Sequence, residues 1–206
     1  MIISSLHKFI FVAIPKTGTH SVRQALRQHM GPQDLEQVGL FVKKHFPIPE
    51  LARLQHGHLS LLQIRPYLRD EEWQGFFKFA FVRNPFDRFV SYCAFMTRQQ
   101  GDFERDPQGV MRQMLERPPP QHLLFQPQHN FITGEDAHLL TDRVGRVEEM
   151  QRSYDEICER IGIPTATLDK VNSSNRADYR NYYDQSLIDG VAKLYARDLE
   201  LFGYEF

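Results

Sequence analysis

A chain of 206 residues, 41% hydrophobic and 25% charged, has the material for a full core and the composition of an ordinary globular domain. Lys and Arg number 25 against 26 Asp and Glu, so the net charge of −1 gives no sign of a nucleic-acid binder and leaves a polyanionic partner only a local basic patch. The two cysteines, Cys93 and Cys158, make neither a disulfide framework nor a zinc site and favour a reducing compartment.

Phe9 to Ile14 is an unbroken apolar run, the mark of a strand buried on both faces. It is strand length, far short of the ~20 residues of a membrane span, and no charged leader and cleavage site accompany it, which predicts a cytoplasmic protein. The run breaks at Pro15 into the loop PKTGTHS, Pro15 to Ser21. Val22, Ala25, Leu26 and Met30 then recur at helical spacing, and Gly31-Pro32 closes that helix. Val38 to Val42 reads as a weak strand, and Pro47 to Leu54 as a short helix with Leu51 and Leu54 inward. In QHGHLS two histidines flank Gly57, and Ser60 is placed to cap a helix carrying Leu61, Leu62 and Ile64 that Pro66 kinks or ends.

Phe76 to Val82 is the second strongly apolar run and a second central strand. Pro85 suits the first turn of the next helix, whose buried face takes Phe89, Val90, Cys93 and Phe95 or Met96. From Gly101 to Asp142 the pattern weakens to a stiff triple proline and irregular surface with anchoring aromatics. Arg143 to Val147 reads as a strand, Glu149 to Ile161 as a helix ended by Gly162, and Leu168 to Val171 as a strand. Gln185 to Leu201 reads as one last helix with Leu187, Ile188, Val191, Leu194, Tyr195 and Leu199 inward.

Strands alternating with helices predict α/β architecture: one domain, 1–206, with a central, mainly parallel sheet flanked by helices. Ligands of such sheets sit outside the carboxyl ends of the strands, the edge from which both Pro15–Ser21 and Arg83–Ser91 depart. The first departure reads equally as a P-loop-like, phosphate-binding strand–loop–helix or as an ordinary strand–turn–helix with a solvated lysine. Gly18 lets the backbone approach an anion, the helix N-terminus faces it, Lys16 adds charge, and Thr17, Thr19 and Ser21 add hydroxyls. His20 contributes its backbone. The loop is not a Walker A sequence, because Lys16 precedes the single glycine. In the second departure, the Arg83 fork with Ser91 two turns into the helix suits a phosphate monoester. A salt bridge from Arg83 to Asp87 or Glu72, and plain helix packing for Ser91, are the structural alternatives.

Taken together, PKTGTHS and FVRNPFDRFVSY resemble the 5′-phosphosulfate-binding loop and the 3′-phosphate-binding strand and helix of sulfotransferases that use 3′-phosphoadenosine-5′-phosphosulfate (PAPS). The likeness is closest to carbohydrate sulfotransferases of the heparan sulfate 2-O-sulfotransferase type and their short bacterial relatives, whose HGH stretch HGHLS also resembles. It covers about Phe9 to Phe95 closely and continues loosely through VGRVEEM, NSSNR and the C-terminal YARDLELFGYEF. The resemblance implies in-line transfer of a sulfuryl group to a hydroxyl of a carbohydrate or glycoconjugate, with adenosine 3′,5′-bisphosphate (PAP) as product and no metal. Lys16 then neutralises the leaving oxygen, the loop from Lys16 to Ser21 holds the 5′-phosphate, and Arg83 and Ser91 hold the 3′-phosphate. His58 carries over as the general base, with His56 and His45 as rivals. Ser174 and Arg176 either close over the nucleotide or belong to an ordinary loop. The other readings of the same residues are a nucleotide kinase with a variant phosphate loop, against which the lysine placement argues, and a nucleotide-binding module without catalysis.

Overall fold

The computed structural model describes residues 1–39, 43–117, 122–168 and 177–206. In chain order, β1 (Ile2–Ser4) and β2 (Phe9–Val12) precede α1 (Thr19–Arg27), β3 (Leu35–Glu36) and the short helices α2 (Pro49–Ala52), α3 (Leu61–Ile64) and α4 (Asp70–Gly75). Next come β4 (Phe77–Val82), α5 (Pro85–Met96), α6 (Asp102–Arg105), α7 (Pro107–Glu116), β5 (Arg143–Arg146), α8 (Met150–Ile161), α9 (Gln185–Leu194) and α10 (Ala196–Phe202). The chain divides into two compact units, Met1–Val82 with Asn130–Asn172, and Arg83–His129 with Ser173–Phe206.

The first unit is built on a mixed sheet of five strands, in the order β3-β1-β2-β4-β5 among the described residues. β2 pairs with β4 in parallel, Phe9 opposite Phe77 and Val12 opposite Ala80, and β4 pairs in parallel with β5. β1 runs antiparallel to both β2 and β3. The parallel half is the half that the apolar runs predict. The antiparallel edge begins with Ile2–Ser4, too short a run to show a period. Phe9, Phe11, Phe79 and Phe81 line one face with ring centroids 5.3–6.5 Å apart, and Val22, Ala25 and Leu26 of α1 and Tyr154, Ile157 and Cys158 of α8 join their core. Each buried phenylalanine contributes roughly 1.5–3 kcal/mol of transfer free energy. Gly145 of β5 makes room for this layer, since a Cβ there would lie 2.8 Å from the Phe81 ring and 2.9 Å from Ser153 Cβ.

Several local expectations need correction. α1 ends at Arg27, and Gly31 lies in the loop beyond, its N–H donating to the Asp34 carboxylate. α2 stops at Ala52, which leaves Leu54 outside it and exposed. In α3 only Leu61 and Ile64 are buried while Leu62 faces solvent; the Ser60 cap does form, reciprocated by Gln63. Val38 pairs with Lys44 in an isolated bridge, and 40–42 and 169–171, the rest of two expected strands, lie outside the described residues.

In the second unit, the Asn84 side chain accepts from the Phe86 N–H to cap α5, with Pro85 in the first turn. Phe86, Phe89, Val90, Tyr92 and Cys93 form its buried face; Met96, at the helix end, is exposed. The stretch with the weakest pattern holds α6 and α7, the latter capped by Asp106, whose carboxylate accepts from the Gly109 N–H. The expected last helix is two helices, α9 and α10. They part at Tyr195, a buried residue whose hydroxyl donates to the Phe125 carbonyl. Arg88 is buried beneath this layer and donates to the Leu124 and Gln126 carbonyls.

Gly145→Ala tests the close approach of β5 to Phe81. Its backbone is ordinary, so the cost is steric alone, about 1–3 kcal/mol, read as a lower urea midpoint at unchanged slope.

Candidate active site

β2 delivers the chain to the loop through Ala13, Ile14 and Pro15, all buried. Lys16 and Gly18 both take left-handed backbone, φ 66° and 69°, on either side of Thr17. Thr17 is fully buried, and its hydroxyl donates to the Ile14 carbonyl, so this hydroxyl fixes the turn rather than facing outward. Gly18 is the N-cap of α1, no side chain caps the helix there, and no acidic residue stands in its first turn. Gly18 also lies against Met150, whose Cε would stand 2.6 Å from a Cβ at that position. Thr19 and His20 are half-buried at the head of α1 and Ser21 is buried. Burial, with Arg23 and Arg27 adding to it, lowers the proton affinity of His20.

His58 stands beside this loop. Its Nδ1 lies 2.6 Å from the Ala13 carbonyl, three residues before Lys16. A carbonyl only accepts, so Nδ1 carries the proton and Nε2 the lone pair. Burial drives the His58 pKa down to about 3, and Arg23, the Met1 amino group and His56 push in the same direction against the Ala13 hydrogen bond. The imidazole is therefore neutral at neutral pH. The rivals differ: His45 is exposed, and His56 is half-buried, its Nδ1 buried with no partner among the described residues.

Arg83 and Ser91 belong to the second unit and are placed by different means. The Gln128 side chain clamps the Arg83 backbone, accepting from its N–H and donating to its carbonyl, each at 2.9 Å. Gln128 is fully buried, and its own N–H donates to Asp198, which also accepts from the His129 N–H and Nδ1. The Arg83 guanidinium meets the Asp87 carboxylate at 2.6 Å, one of the two pairings weighed from sequence; Glu72 pairs with Arg69 instead. Asp87 and Ser91 are four apart on α5, so the guanidinium is drawn to the helix face that carries the half-buried Ser91. Ser174 and Arg176 lie outside the described residues.

Sequence reading missed Gln128, Asp198, Arg23 and Gln37, all buried polar residues that hold the others in place. Only Arg23 left a trace, as a charge one position after Val22 in an otherwise apolar helix face.

The chain matches the model of the sulfotransferase family, Sulfotransfer_2, over residues 1–205, and it belongs to that family. No curated protein gives a significant match. Among solved structures it is similar to the crystal structure of a sulfotransferase from Alicyclobacillus acidocaldarius, at 17% identity and a TM-score of 0.41, covering 95% of this chain and 96% of that one. Among the described residues no helix is long and apolar enough to cross a membrane.

The depressed His58 pKa has a consequence for stability. Between its folded value of about 3 and the ordinary 6.5, the unfolded chain binds a proton that the folded chain does not. The neutral imidazole's contribution is thus complete above 6.5 and falls as the pH drops through that window, by up to about 1.4 kcal/mol per pH unit. Unfolding free energies of wild type and His58→Gln, compared from pH 6.5 to 4, should converge as the pH falls; parallel curves would contradict the shift.

Proposed function

We propose that this sulfotransferase takes its sulfuryl group from PAPS and passes it to a hydroxyl of a saccharide or glycoconjugate. The observation that carries the reading is the neutral His58, tied through Nδ1 to Ala13 and so to the strand that ends in the Lys16 loop. In this reading His58 Nε2 accepts the proton of the acceptor hydroxyl as its oxygen forms a bond to sulfur. The bond between sulfur and the bridging phosphate oxygen breaks in line, and PAP leaves with the electron pair. Lys16 neutralises the charge that builds on that oxygen, and the backbone N–H groups from Gly18 to Ser21 hold the 5′-phosphate. Arg83, shared with Asp87, and Ser91 hold the 3′-phosphate. Ser174 and Arg176 remain candidates for covering the nucleotide.

The reading treats 1–206 as one catalytic domain, supported by the family match over 1–205. It places the reaction in the cytoplasm, supported by two buried free thiols, Cys93 and Cys158. The transfer needs no metal if Lys16 and Arg83 supply the positive charge.

Calorimetric titration with PAP, AMP and ATP–Mg²⁺ tests the donor. Selective binding of PAP supports the reading, and a preference for ATP replaces it with a kinase. Arg83→Ala should abolish the preference for PAP over AMP. Lys16→Ala should reduce kcat by about 10²-fold or more while PAP affinity changes little; equal losses in both would remove its role in the transition state.

A further inference from the structure

Arg23 is a buried cation of the first unit that the proposed chemistry leaves unused. It lies on α1, 4% exposed, in the second turn after the Lys16 loop. Its Nη2 donates at 3.0 Å to the Gly57 carbonyl, which lies in the peptide that joins Gly57 to His58. Its Nε is buried with no partner among the described residues. Burying a guanidinium with one hydrogen bond to a carbonyl and no carboxylate in contact is costly, and burial lowers its pKa to about 10. A salt bridge does not account for its retention, because the nearby Glu36 is engaged by Arg27 and Lys44.

The turn carrying His58 is gripped from both sides. Gln37, fully buried, donates through Nε2 to the His56 and Leu51 carbonyls at 2.9 and 2.7 Å. Gly57 fits between these two grips only because it lacks a Cβ, which would collide with the Gln37 carbonyl and stand 2.7 Å from Arg23 Nη2. The charged and titratable groups acting on His58 are Arg23 from α1, the Met1 amino group and His56 of its own turn, every one cationic or able to become so.

We propose that Arg23 is a positioning residue for the transfer: anchored on the Gly57 carbonyl, its guanidinium fixes the turn so that His58 donates through Nδ1 to Ala13 and presents Nε2 as the acceptor. The proposal rests on His58 being the base, and it gives the buried charge a purpose. A cation within the same core disfavours a second one on His58, while the fixed turn holds Nε2 as the acceptor. Arg23 itself need not touch either substrate.

The test is NMR of ¹⁵N-labelled histidine together with steady-state kinetics on wild type, Arg23→Gln and Arg23→Lys. In wild type, His58 should show the Nδ1–H tautomer and no titration between pH 5 and 8. Arg23→Gln should raise the His58 pKa by about one unit or more, lower kcat by about 10–100-fold and leave PAP affinity within about twofold. Arg23→Lys, which keeps the charge and can reach a carbonyl, should restore the acid titration and much of kcat. A merely structural arginine would lower the melting temperature without moving the titration. Ordinary titration of His58 in wild type overturns the proposal even if neither variant folds, as does an unmoved titration in a folded Arg23→Gln. The base assignment fails separately, if His58→Ala keeps wild-type kcat, and the tautomer and titration still report on the hold of Arg23.

Discussion

Phe9 and Phe11 on β2 meet Phe79 and Phe81 on β4 through a parallel ladder, and the position of the loop follows from that register. Side chains alternate along a strand, so a slip of one residue would turn the two rings of the slipped strand away from α1 and α8. The register that seats the rings also decides where β2 stops pairing. Ala13 is the first residue beyond the ladder, and its carbonyl is the acceptor that orients His58. The hydrophobic core and the orientation of the imidazole are therefore set by one strand pairing.

Electrostatics adds a dependence on the ligand. A free-state pKa of about 3 makes His58 a weak base. Arg23 is the cation acting on it, and in the proposed reaction an anionic donor at the Lys16 loop, which begins three residues after Ala13, would raise the proton affinity of the imidazole by Coulomb attraction. The imidazole of the proposed mechanism thus gains basicity as the nucleotide arrives. That order suits the proposed transfer, in which an activated donor must not be spent on water.

Much of this was legible in the sequence. FIFVAI and FFKFAFV gave away β2 and β4 because a strand buried on both faces leaves no polar alternation to confuse it. PKTGTHS and the Arg83–Ser91 stretch stood out because glycine, proline and charge interrupt apolar runs abruptly. The antiparallel edge was hidden by the brevity of Ile2–Ser4. The stretch holding α6 and α7 was hidden by helices whose caps, Gly101 and Asp106, sit among residues equally at home in loops. The single helix read over Gln185 to Leu201 failed at Tyr195, where the apolar period continues through a break made by tertiary contacts. Gln128 and Asp198 left no signal, since a buried glutamine clamping a backbone has the composition of an ordinary surface residue.

In the proposed reaction, the left-handed backbone at Lys16 sets stability against chemistry within one residue. A non-glycine residue there is strained by about 1–2 kcal/mol, which glycine would relieve and asparagine would lessen. Drift toward higher stability would therefore erase the lysine before most other residues of the loop. In the proposed reaction, glycine or asparagine at Lys16 would raise stability at the expense of turnover.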